Sequence, residues 1–124
     1  MKTKVLRLAL IIIGSLLVVL ALIIALMAHK SLSFSSGRYL LADNGADIFI
    51  LGNSPIVMSN RTENENMFSR LDTGDKILVL HDGVAESYPG KTGAYFVLKL
   101  GRGSIADINS SVLESLSELG YLQD

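Results

Sequence analysis

The chain has 124 residues, no cysteine, no tryptophan and a formal charge of −1 at neutral pH. That length holds one small domain. The lack of cysteine excludes a disulfide scaffold, a zinc–thiolate site, a cysteine nucleophile and a lipidated-cysteine anchor. Apolar residues make up 49 % of the chain, but they are unevenly spread, and so is the charge. Residues 1–30 carry Lys2, Lys4, Arg7 and Lys30 with no acid, whereas residues 31–124 carry a net −5. A basic, greasy N-terminus leads an acidic domain, which excludes the basic character that nucleic-acid binding requires.

Residues 1–7 form a basic flank. Leu8–Ala28 then runs 21 residues without a charge, 19 of them apolar. At about 1.5 Å per residue a helix of that length spans roughly 31 Å, the thickness of a bilayer's hydrocarbon core. A buried core helix does not fit, because so short a remainder could not surround it. The basic flank predicts a cytoplasmic N-terminus and an exported C-terminal part. A cleaved signal peptide is the competing reading. The apolar run exceeds a usual signal core of about 7–15 residues, and a cut after Ala28 would put the bulky Leu26 at −3. The sequence therefore predicts a single-pass transmembrane anchor in the lipid bilayer over 8–28, a Ser-rich linker over 29–36 and an extracytoplasmic domain over 37–124.

From Gly37 the pattern is that of strands. Arg38–Ala42 and Ala46–Leu51 flank Asn44-Gly45, the dipeptide that favours a type I′ hairpin. Gly52–Pro55 is the next turn, and Ile56–Asn60 the third strand. Met67, Phe68 and Leu71 recur at helical spacing, which predicts one or two helical turns. Lys76–His81 is a fourth strand, Asp82-Gly83 a second hairpin dipeptide, and Val84–Tyr88 an extended continuation. Pro89–Gly93 reads as a loop and Ala94–Leu100 as the last strand. A C-terminal helix is predicted over 110–119. Ser111 and Glu114 have capping-box spacing, Val112, Leu113, Leu116 and Leu119 form an apolar stripe, and Gly120 is placed for a left-handed cap. Ile48 to Leu51 and Ile77 to Leu80 are apolar on both faces, so each strand needs cover on both sides. An OB-like five-stranded barrel or curled antiparallel sheet, with the C-terminal helix on its outside, supplies that cover.

The stretch Phe68–Leu100 resembles small exported domains of unknown function from Gram-positive bacteria. The matching residues are Leu71, Gly74, Asp75, Ile77, Val79, Glu86, Ser87, Tyr88 and Pro89. The resemblance implies an OB-type barrel and an extracytoplasmic location, and no activity. Many such domains are lipoproteins, whereas this chain lacks the cysteine and carries an apolar N-terminal segment.

Few residues qualify for chemistry. His81 beside Asp82 lacks the second ligand of a zinc site, and no Gly-x-Ser-x-Gly elbow presents a nucleophile. Asp72, Asp75, Asp82 and Glu86 lack the spacing of a calcium loop. Gly101–Ala106 fits Gly-x-Gly-x-x-Ala, but no helix begins at its second glycine and no βαβ unit can follow. No catalytic, metal or cofactor-binding residue is assigned, and no cofactor is expected. The candidate interaction or structural motif is Glu86, Ser87, Tyr88 and Pro89. Alternation puts Val84, Glu86 and Tyr88 on one face, which predicts a half-buried, hydrogen-bonded Glu86 carboxylate. Pro89 should end that strand. The sequence thus points to a non-catalytic, membrane-anchored binding domain for an extracytoplasmic protein or a cell-envelope ligand. The alternatives are an assembly accessory acting through the transmembrane helix and a secreted domain released by cleavage.

Overall fold

The computed structural model describes residues 2–123, which divide into two compact units with the boundary between Leu32 and Ser33. The first unit is helix α1 (Lys2–Lys30). It extends past both ends of the apolar run, because Lys and Arg are good helix formers and neither flank contains a Pro or Gly to stop it. It is long and apolar enough to cross a membrane, and none of its most apolar stretch is buried.

The second unit is a closed barrel of five strands, β1 (Ser33–Leu41), β2 (Asp47–Leu51), β3 (Ser54–Asn60), β4 (Lys76–His81) and β5 (Gly90–Gly101). Their order is β1-β2-β3-β5-β4, with β4 pairing back to β1. Only β3–β5 is parallel. This is the OB-type arrangement that the two-faced apolar strands demand.

Within the strands and their turns, three features depart from the sequence reading. First, β1 begins at Ser33, inside the stretch expected to be a linker, and Ser33–Ser36 pair with Leu78–His81. Without them β4 would present a row of unpaired N–H and C=O groups, so ladder pairing outweighs the weak strand preference of serine. β1 then changes partner, from β4 to β2, at Arg38. Gly37 permits the crossing, since a Cβ there would lie 2.2 Å from the Ile50 carbonyl oxygen. Second, the Asn44-Gly45 hairpin is not type I′. Only Gly45 has positive φ, its N–H donates to the Ala42 carbonyl, and the Ala42 N–H donates to the Ala46 carbonyl. That is a type I turn closed by a glycine bulge. Third, the expected loop Pro89–Gly93 contains the start of β5, where Gly90–Ala94 lie parallel to Ile56–Asn60. Barrel closure recruits a glycine-rich segment whose local composition argues for a turn.

The connection from β3 to β4 holds successive turns, not a helix, with N–H bonds from Met67 to Asn64, Ser69 to Asn66 and Leu71 to Phe68. Asn60 and Asn64 side chains bond to nearby backbone and hydroxyl groups, which competes with a helical ladder. Met67, Phe68 and Leu71 still pack on the barrel interior, built from Tyr39, Phe49, Ile56, Met58, Ile77, Val79 and Ala94.

A second core lies outside the barrel. Leu40, Ala42, Ile48 and Ile50, on the outer faces of β1 and β2 and the turn between them, are covered by Ile108 and by Val112 and Leu116 of helix α2 (Ser110–Glu118). The cap of α2 is Asn109, whose side chain accepts from the Ser111 N–H at 2.9 Å, so Ser111 is not the cap residue. At the other end the Tyr121 N–H bonds to the Leu116 carbonyl and the Gly120 N–H to the Ser117 carbonyl. These are the two bonds of a Schellman cap, with Gly120 at φ +88°. Leu119 is 46 % exposed and leaves the expected stripe, while Tyr121 and Leu122 pack on the core in its place.

Candidate functional site

The loop between β4 and β5, residues 82–89, carries the Glu-Ser-Tyr-Pro motif. Asp82-Gly83 does not make a tight hairpin, because β4 meets β5 at His81↔Ala94 and the chain between them must return to that point. The loop is held by its base. The Asp82 carboxylate accepts from the Gly93 N–H at 2.9 Å, and Thr92 donates its hydroxyl to the Gly83 carbonyl at 2.5 Å. Ala85 makes an isolated antiparallel bridge to Lys91, its N–H donating to the Lys91 carbonyl at 2.8 Å. Beyond that bridge Val84–Tyr88 is bent and not a strand, so the expected alternation fails.

Glu86 is accordingly exposed rather than half-buried, and its carboxylate has no hydrogen-bond partner among the described residues. Tyr88 is 56 % exposed. Ser87 points its hydroxyl at the Pro89 carbonyl, 2.9 Å away, and so shapes the loop from within. Pro89 is joined to Tyr88 by a cis peptide bond, and β5 starts directly after it.

Two clefts flank this loop. The larger, about 530 Å³, lies between the loop base and the β3–β5 pair, with Arg61, Asp82, Lys91 and Thr92 in its wall. Gly93 also lines it, where a Cβ would meet the Asp82 carboxylate at 2.6 Å and the Arg61 side chain at 2.8 Å, so these two side chains are neighbours in the wall. Neither Arg61 nor Lys91 has an ion pair among the described residues. The smaller cleft, about 320 Å³, is bordered by Ile56, Val84, Glu86 and Tyr88. The sequence reading missed Arg61 and Lys91, because thirty residues separate them and only the parallel β3–β5 pairing brings them to one cleft.

His81 lies under the loop base, buried, at the end of β4. The Gly83 N–H can only donate, so at 3.2 Å from Nδ1 it makes that nitrogen an acceptor. Nε2 therefore carries the proton of the neutral ring and donates to the Ser35 hydroxyl at 2.8 Å. Burial pushes the imidazole below its ordinary pKa, against the opposing charge of Asp82.

The Gly-Asp half of the motif sits at the opposite end of β4. Asp75 is 1 % exposed and accepts from the Asp72 N–H at 2.8 Å and from the Lys99 ammonium at 2.9 Å. Burial alone would raise its pKa, but these donors outweigh burial and hold the carboxyl below its ordinary value. The Tyr39 carbonyl receives the Gly74 N–H, and the Tyr39 N–H donates to the Asp75 carbonyl. Its hydroxyl donates to Asp47 at 2.5 Å, and burial first, then that bond, push the phenol well above its ordinary value. Gly103 crosses Gly74 so closely that a Cβ would lie 2.2 Å from the Gly74 carbonyl oxygen. The Gly101–Ala106 stretch is thus a packed crossing at Gly103 that runs into a 3₁₀ turn (Ile105–Asp107) capped by Ser104. Asp72 and Asp75 stand at one end of β4, Asp82 and Glu86 at the other, and no group of three His, Asp or Glu converges among the described residues. Compared with known proteins, the chain matches no family model, no curated protein and no solved structure.

Proposed function

We propose that this protein is a membrane-anchored binding module, held by α1 and displaying its barrel on the extracytoplasmic side. Its ligand is an anionic group of an extracytoplasmic protein or a cell-envelope component, taken in the cleft beside the 82–89 loop. The observation that carries this reading is the pair of cations, Arg61 and Lys91, lining one 530 Å³ cleft without ion-pair partners among the described residues. The Asp82 carboxylate stands in the same wall, so the lining carries a net +1 in a unit of net charge −5, a local excess of positive charge that favours an anionic group. Binding rather than catalysis is supported by the polar groups nearby. The Asp82 carboxylate is engaged by the Gly93 N–H, and the His81 ring is engaged on both nitrogens by Gly83 and Ser35. The length of α1 and the basic residues Lys2, Lys4 and Arg7 support the anchor and its orientation.

The test uses a photo-crosslinking residue at Tyr88, beside the clefts, and another at Glu114, exposed on α2. In intact cells the Tyr88 position should form adducts that protease added from outside removes together with the barrel. Arg61→Ala combined with Lys91→Ala should abolish them. Adducts of equal yield at Glu114, or adducts indifferent to the double substitution, would overturn the cleft as the binding site. A mature chain beginning near His29 would overturn the anchor.

A further inference from the structure

The outer surface of the barrel carries apolar side chains on two sides, and only one of those sides is covered. On β1 and β2, the outward Leu40, Ile48 and Ile50 are 0–3 % exposed beneath α2. On the far side the outward residues of β1, β4 and β5 have no such cover. Phe34, Leu80 and Phe96 form one row across the three strands, and Ser36, Leu78 and Leu98 form the next. Phe34, Phe96, Leu98 and the adjoining Leu100 are each 46–48 % exposed. The inward neighbours Val79 and Val97 pack in the barrel core, so the outward direction of these rows is set by the pleat.

The strands that build this face also depart from the rest of the unit in charge. β1, β4 and β5 contain no Asp or Glu, although the unit as a whole is −5; of their lysines, Lys99 is paired with Asp75 and Lys91 lines the cleft, which leaves Lys76 to the apolar face. Lys76 lies exposed at the edge of the apolar rows. The area is small for a dimer. Half of the surface of four large side chains is about 400 Å², against the ~800 Å² that each partner of a stable complex buries. An anionic lipid surface satisfies both features, taking the aromatic and Leu side chains at the headgroup boundary and the lysine among phosphates. The chain's own connectivity keeps the start of this face within reach of it. Two residues, Ser31 and Leu32, separate α1 from β1. The chain contour therefore limits Phe34 to about 14 Å from Lys30 in any arrangement of the two units.

We infer that the outer face of β1, β4 and β5 rests on the surface of an anionic bilayer, an inference that depends on α1 being the membrane anchor. The lack of tryptophan makes the test clean. Phe96→Trp or, should that variant not fold, Leu98→Trp places a single indole reporter on the face. Leu119→Trp places one on the exposed part of the α2 region. The full chain is reconstituted into vesicles of mixed phosphatidylcholine and phosphatidylglycerol, and co-flotation with the vesicles reports the anchor by itself. Emission from the Phe96→Trp variant should be blue-shifted and protected from iodide. Brominated lipid should quench it several-fold more than it quenches the Leu119→Trp variant. The difference should shrink in vesicles of phosphatidylcholine alone. A floating Phe96→Trp chain with red, iodide-accessible emission overturns the inference and leaves the anchor standing. Blue-shifted emission that brominated lipid does not quench, and that grows with protein density, overturns it in favour of a second copy. A chain that does not float overturns both.

Discussion

The two halves of the Gly-Asp and Glu-Ser-Tyr-Pro motif sit at opposite ends of β4 and differ in nearly every physical respect. At the Gly-Asp end, Asp75 is buried, charged and satisfied by the Asp72 N–H and Lys99. Gly74 and Gly103 touch backbone to backbone there. At the other end, Glu86 and Tyr88 stand in solvent beside a cleft, and Ser87 bonds only within the loop. One short run of sequence thus contains a clamp on the barrel and a surface loop. A motif read as a unit is two devices, one buried in the barrel and one exposed beside a cleft.

The sharpest test of that contrast compares two glycines of like conformation. Gly74 has φ +96° and a Cβ there would lie 2.3 Å from the Ser104 backbone, whereas Gly83 has φ +98° and open space. Gly83→Ala should cost only the left-handed backbone penalty of about 1–2 kcal/mol. Gly74→Ala adds displacement of a neighbouring backbone and should cost more than about 3 kcal/mol. Thermal unfolding of the full chain in detergent, followed by tyrosine circular dichroism, reads both, and equal losses would break the contrast.

Next in size is the clamp's ion pair. Asp75→Ala strands the Lys99 ammonium, a loss of about 2–3 kcal/mol, below the range for a fully buried pair because the Lys99 side chain is 33 % exposed. The same carboxylate imposes a pH dependence. Its folded pKa lies below the unfolded value, so its contribution is complete above that unfolded value. It is lost as pH falls through the folded one. Acid titration should therefore show a loss of stability below about pH 4 that is reduced in Asp75→Asn. Identical acid limbs would remove Asp75 from the clamp.

The smallest effect belongs to the loop. Alternation along Val84–Tyr88 led to the expectation of a half-buried Glu86, but the exposed carboxylate implies that Glu86→Ala and Lys91→Ala each change stability by less than about 0.5 kcal/mol. A melting temperature lowered by Glu86→Ala alone would make the loop a second clamp.

Much of the architecture is a local property of the chain. The uncharged run of α1, the strands apolar on both faces and Gly120 at the end of α2 each act within a few residues, through helix propensity, pleat periodicity or a left-handed cap. The OB-type barrel followed because two-faced strands in so short a chain have few ways to bury both sides. Tertiary structure decided whatever depended on a partner distant in sequence. Ser33–Ser36 became strand because β4 lacked an edge partner, and Gly90–Gly93 because β3 did. Lys99, one polar residue in an apolar strand, acquired its role only when closure of the barrel brought it to Asp75. Arg61 and Lys91 share a cleft, and Phe34, Leu80 and Phe96 a row, because strands pair across the barrel. Periodicity specifies which face a side chain takes, and only pairing specifies what lies beside it.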